Sequence, residues 1–192
     1  MAPMSTLRAV VADADVTVMG VSIPVPTPFA EELQLKRASF GDPLAFSIPS
    51  HVTLLGPTPV RVDDLPSLIN HLDRAAATAD PFTMVLRGTG TFRPLSDVVF
   101  VQVAHGISVC EKLQGAIHSD QWAADLAFPY HPHVTVAHDV DEIALDLAFD
   151  DLADYSARFE VDSFQLYEQD HEGTWIPARE FSLGRATSAV GR

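Results

Sequence analysis

The sequence predicts an α/β (α+β) fold made of two similar lobes of roughly 80–90 residues, each a sandwich of strands and helices. Three observations predict it. Segments with strand and helix periodicity alternate along the chain. The tripeptide His-Val-Thr stands at 51–53 and again at 133–135, 82 positions later. Each copy opens a run of β-branched and aliphatic residues, "HVTLLGP" and "HVTVAH". No short tandem repeat, low-complexity tract or clear linker interrupts the chain, so the two lobes read as one cooperative unit.

Residues 1–15 read as a loose N-terminal extension, 16–184 as a single bilobal domain, and 185–192, "RATSAVGR", as a mobile tail. "VTVMGVSIPV" (16–25) is strand-like and is ended by Pro24, Pro26 and Pro28. "PFAEELQLKRASFG" (28–41) predicts a helix, with Pro28 in its first turn and Gly41 past its end. "LAFSIPSHVTLLGP" (44–57) predicts one or two strands around Pro49. A helix over 62–80 follows from Leu65, Leu68, Ile69, Leu72, Ala75 and Ala76, which recur at three- and four-residue steps. Strands over 82–94 and 97–104 flank a Pro-containing turn. The second half repeats this grammar: a helix over 107–124, a strand over 130–138 entered through Pro132, and a helix over 141–155. Asp141 and Glu142 suit the positive end of that last helix. Segments 157–170 and 174–184 predict a closing hairpin.

Composition limits the function classes. Apolar residues make up 47% and charged residues 20%, which suits a globular core. No run approaches the roughly 18 apolar residues of a membrane span, and the N-terminus lacks the pattern of a secretory signal. Neither a membrane association nor export is expected, and the expected location is cytoplasmic. A lone Cys110 allows no internal disulfide and no cysteine-rich metal site. Acids outnumber bases 26 to 12, for a formal charge of −14. Such a chain repels polyanions at long range, so sliding along or wrapping nucleic acid is not expected. A small phosphate ester held in a local pocket remains compatible.

The duplicated tripeptide carries the chemistry. Strand side chains alternate between faces, so His51 and Thr53 share one face, with Val52 on the other. His133 and Thr135 do likewise around Val134. Each motif therefore offers an imidazole and a hydroxyl on one surface, about 7 Å apart along the strand. If the lobes pack with pseudo-twofold symmetry, both pairs converge on a central groove. That set suits phosphoryl transfer without a metal. One neutral imidazole takes a proton from the attacking oxygen, and the other, protonated, gives one to the leaving oxygen. The threonines hydrogen-bond the non-bridging oxygens.

In "HVTL" (51–54) and "HVTV" (133–136) the chain resembles the two-histidine (2H) phosphoesterases, which include bacterial 2′-5′ RNA ligase-like proteins and cyclic phosphodiesterases. The surroundings "HVTLLGP", "GTFRPLSDVVFVQV" and "YHPHVTVAH" are similar to the family's, in the same order, over roughly residues 16–184. The resemblance implies a bilobal fold of duplicated βαβ-type units, with antiparallel sheets flanking a central cleft. It implies cleavage or transfer at 2′,3′-cyclic or 2′-5′ phosphodiesters with no metal or other cofactor. His51 and His133 become the catalytic pair, and Thr53 and Thr135 the phosphate-binding hydroxyls. The acid and base roles can swap with reaction direction. The acidity of this chain departs from the basic surface common among RNA-acting members, which favours a small nucleotide or short RNA end as substrate.

Supporting residues follow from position. Arg93, in the Pro-flanked "TFRP", is the expected phosphate-binding cation; Arg87, Arg158 and Arg179 are weaker candidates. Phe92 and Tyr130 are candidates for stacking on a base, with core packing as the alternative. His131 shares the face of His133, whereas His138 has the opposite parity. A zinc site built from His131, His133 and His138 is a weaker alternative, because Pro132 disturbs the strand; no metal is expected. His71, His105, His118 and His171 are expected on the surface. A further alternative is a non-catalytic module that binds a nucleotide or phosphate ligand in the same cleft. Protein partners are not specified by any motif.

Overall fold

The computed structural model describes residues 16–123 and 128–184. The expected N-terminal extension over 1–15 and tail over 185–192 lie outside the described residues. The described chain runs β1 (Val16–Pro24), α1 (Phe29–Ser39), β2 (His51–Arg61), α2 (Leu65–Ala76), β3 (Phe82–Thr91), β4 (Val98–His105), α3 (Ile107–Ile117), β5 (His133–His138), α4 (Glu142–Asp151), β6 (Ser156–Val161), β7 (Ser163–Gln169) and β8 (Trp175–Ser182).

The strands form two four-stranded antiparallel sheets, ordered β2-β1-β7-β8 and β5-β4-β3-β6. Each is cross-linked by the other half of the chain. β3 leaves the first half to pair with β4, and β7 leaves the second half to pair with β1. The lobes are therefore interleaved rather than contiguous halves. The segment expected as one strand over 157–170 breaks at Asp162: β6 closes the edge of the second sheet, and β7 enters the centre of the first. Only β7 and β8 form the closing hairpin.

The helices are exchanged in the same manner. α2 and α3 pack on each other and cover the first sheet through β8 and β2. α1 packs on β5, and α4 on β3, β4 and β5, so both back the second sheet. Lys36 of α1 ion-pairs with Asp151 of α4 at 2.6 Å. The core lies between each sheet and its helices: Val52, Leu54, Val134 and Val136 are each at most 1% exposed. β2 and β5, edge strands of their own sheets, lie against each other. The strands carrying the two His-x-Thr motifs are thus the seam of the molecule.

Local sequence explains most boundaries. α2 begins with Pro66 in its first turn and buries Leu68, Leu72, Ala75 and Ala76. The residues before it, Val62–Asp64, form a 3-10 turn rather than the start of the expected helix. Asp141 caps α4, accepting the Ala144 N–H at 2.8 Å. α3 stops at Ile117 and a separate 3-10 turn spans Asp120–Trp122, so the helix expected to reach 124 is shorter. Residues 44–50 are turns, not a strand; regular pairing begins at His51. Two histidines expected on the surface are inside. His71 is buried, its Nε2 2.9 Å from the Ile117 carbonyl, and half-buried His118 reaches the Leu54 carbonyl at 3.1 Å. They stitch α2 and α3 to each other and to β2.

The interleaving is secured by a buried ion pair. Arg37 Nε donates to Asp42 Oδ2 at 2.7 Å, with side-chain exposures of 6% and 1%. Asp42 also accepts the Leu44 N–H at 2.8 Å and the His138 N–H of β5 at 3.0 Å. One carboxylate therefore joins the end of α1, the turn after it, and a strand of the other sheet.

Candidate active site

β2 and β5 position their motifs alike. His51 and Thr53 are half-buried, and Val52 and Leu54 between and after them are fully buried. His133 and Thr135 repeat this pattern around Val134 and Val136. His51 Nδ1 donates to the carbonyl of Pro49 at 2.6 Å, and His133 Nδ1 to the carbonyl of His131 at 2.7 Å. A carbonyl only accepts, so each ring carries its proton on Nδ1, and each Nε2 is the basic nitrogen when the ring is neutral. Both imidazoles are thus set in the same tautomer by a carbonyl two residues upstream. His51 Nε2 accepts from Thr53 Oγ1 at 3.2 Å.

Burial lowers the pKa of both histidines below the usual value of about 6.5. The carbonyl bonds oppose this. Arg37 and His133 add to it at His51, and His131 adds to it at His133. Both imidazoles are therefore neutral at pH 7. Because both pKa values are lowered below about 6.5, kcat/KM for hydrolysis of a 2′,3′-cyclic nucleotide should follow a bell centred below that pH. An anion beside an imidazole favours its charged form, so the kcat optimum should lie at higher pH. A kcat/KM maximum above pH 7 would contradict this. Folding is linked to the same groups. The unfolded chain takes up protons first as pH falls below about 6.5. Their contribution to stability is therefore complete above that pH and lost below it.

An aromatic cluster holds His133. Phe92 meets its ring edge-on at 5.0 Å and 88°, Phe100 lies at 5.0 Å, and His131 stacks at 6.4 Å and 17°. Gly90 makes room for Phe100, since a Cβ there would sit 2.6 Å from the ring. Gly90→Ala should push Phe100 toward His133 and cost about 1–3 kcal/mol. Thermal unfolding measures it, and an unchanged Tm would show that the ring is free to move.

The other expected site residues divide. Tyr130 is half-buried and its hydroxyl donates to the Thr53 carbonyl at 2.8 Å, joining the entry of β5 to β2. Phe92 packs on Phe100 at 4.5 Å between centroids. The guanidinium of Arg93, the expected phosphate-binding cation, pairs with the exposed Asp146 of α4 at 2.8 Å. Arg179 likewise turns to Asp73 of α2 at 3.2 Å and to the face of Phe181.

Beside His51 and Thr53 lies a cavity of about 140 Å³. Gly20, Ser22, Leu55, Pro57, Tyr167 and Trp175 line it. None of these was singled out from sequence. The one local signal was Gly20 inside a strand, which marks close approach; a Cβ there would meet the Trp175 ring at 3.0 Å.

The edge strands β2 and β5, where the two antiparallel sheets meet, each carry an imidazole and a hydroxyl in the same arrangement. The chain belongs to the 2′-5′ RNA ligase superfamily, whose description matches residues 24–173. It is 28% identical over 153 residues to a protein of Halalkalibacterium halodurans provisionally named a phosphoesterase, covering 75% of this chain and 85% of that one. A similarly named protein of Bacillus thuringiensis is 27% identical over 149 residues, covering 77% and 86%. The fold is similar to that of Escherichia coli LigT in its complex with 3′-AMP, with a TM-score of 0.62, 17% identity, and 89% and 100% of the two chains covered. It is also similar to TT0787 of Thermus thermophilus, with a TM-score of 0.57, 23% identity, and 87% and 98% covered.

Proposed function

We propose that this protein is a metal-independent 2H phosphodiesterase that hydrolyses or transfers 2′,3′-cyclic or 2′-5′ phosphodiester bonds of a nucleotide or RNA end. The observation that carries the reading is the matched pair of imidazoles, each locked through Nδ1 to the carbonyl two residues upstream. In hydrolysis of a 2′,3′-cyclic phosphate, one neutral Nε2 removes a proton from water as its oxygen bonds to phosphorus. The phosphorus–oxygen bond to the ribose breaks, and the second imidazole, protonated, delivers its proton to that oxygen. The product is a phosphomonoester, and exchange with solvent resets the two rings. Thr53 and Thr135 hold the non-bridging oxygens, which fixes phosphorus between the rings. Similar folds have been captured with 3′-AMP, phosphate and NADP+ in E. coli LigT, which supports a nucleotide-sized ligand.

The test is hydrolysis of 2′,3′-cyclic nucleotides and a 2′-5′-linked dinucleotide by purified protein with excess chelator. Turnover that resists the chelator supports the reading. Saturable binding with every ligand recovered intact would instead identify a binding module.

A further inference from the structure

The cleft is not symmetric. In the first sheet, the residues in register with Thr53 are Ser22, Gln165 and Glu180. In the second, those in register with Thr135 are Phe100 and Gly90. Residues directly opposite on neighbouring strands share a face, so both rows lie on the faces that carry the threonines. Small Ser22 leaves space beside His51, whereas the Phe100 ring fills the matching place beside His133. The 140 Å³ cavity lies on the His51 side. That volume equals four or five waters at about 30 Å³ each, enough for one flat ring system. Trp175 and Tyr167 contribute aromatic lining to it, and Leu55 and Pro57 apolar lining.

Among the described residues, no Lys or Arg lines this cavity. Arg37, Arg93 and Arg179 are each engaged by an aspartate, at 2.7, 2.8 and 3.2 Å. Glu180 stands exposed on the same sheet face, at the far end of the Thr53 row. A second phosphate on that face would therefore share it with the Glu180 carboxylate and, among the described residues, with no cation lining the cavity, in a chain of formal charge −14.

We infer that this cavity is a specificity subsite for an uncharged flat ring, a nucleobase, and that the substrate is a mononucleoside bearing a single diester phosphate rather than a 5′-phosphorylated nucleotide or an RNA end. The inference rests on the phosphodiesterase reading and narrows its substrate class.

The experiment compares adenosine 2′,3′-cyclic phosphate with its 5′-phosphorylated counterpart at low salt. The first should have the higher kcat/KM by at least about tenfold, and Glu180→Gln should narrow the gap. Trp175→Ala should raise KM for the first substrate about tenfold with kcat retained. Equal or better use of the 5′-phosphorylated substrate, or an unchanged KM in Trp175→Ala, overturns the inference while leaving the phosphodiesterase reading intact. If neither substrate turns over, that reading fails, and calorimetry with 3′-AMP and adenosine 3′,5′-bisphosphate decides the subsite. Tighter binding of 3′-AMP sustains it; equal or tighter binding of the bisphosphate, or binding of neither, overturns it.

Discussion

His51→Ala and His133→Ala should each lower kcat/KM for a 2′,3′-cyclic nucleotide by about 10²- to 10⁴-fold, the usual contribution of one positioned proton transfer. Both side chains are half-buried at the start of a strand whose alternate residues carry the main packing; His133→Ala gives up its contacts with Phe92 and Phe100, but neither change touches Val52, Leu54, Val134 or Val136. Unfolding midpoints should therefore stay close to that of the parent, which separates lost chemistry from lost fold. The double variant should fall little below the worse single one, because acid and base act as a unit. His→Asn variants should not rescue activity, since an amide can mimic the Nδ1–H but cannot exchange a proton near neutral pH. Activity that persists in both alanine variants would remove the paired-imidazole mechanism.

The largest effect on stability should come from Asp42→Ala. It leaves Arg37 charged and uncompensated in a site where the partner side chains are 6% and 1% exposed. Breaking a buried pair from one side costs about 3–5 kcal/mol. The Leu44 and His138 N–H groups lose their acceptor as well. Chemical denaturation reads this as a lower midpoint. Arg37→Met/Asp42→Ala should recover part of the loss, because removing both charges removes the desolvation penalty. A single-variant cost under about 1 kcal/mol would mean that water reaches the pair.

Much of the site was legible because strand parity is local. The order His, apolar, Thr places His51 and Thr53 on one face wherever the strand goes, and Val52 and Leu54 prove buried on the other. The recurrence at 133–135 required no contact information. Helix existence was equally local: the Leu68–Leu72–Ala75–Ala76 stripe of α2 is the buried face. Boundaries drifted where turns competed with propensity, as at 44–50 and at Val62–Asp64. His71 was misplaced because a buried histidine differs from a surface one only in its partner, here the Ile117 carbonyl on another helix.

By itself, the sequence determined the element types, the facing of each imidazole with its hydroxyl, the absence of the basic character that long nucleic acid needs, and the resemblance to a family. Tertiary structure alone decided the exchange of β3 and β7 between sheets, the locking of both histidine tautomers by backbone carbonyls, and the capture of Arg93 by Asp146. It also placed small Ser22 in register with Thr53 in one sheet and Phe100 in register with Thr135 in the other. The reason is range. Periodicity and parity are set by backbone geometry over a few residues, whereas strand order and side-chain partners depend on which distant surfaces bury together most completely.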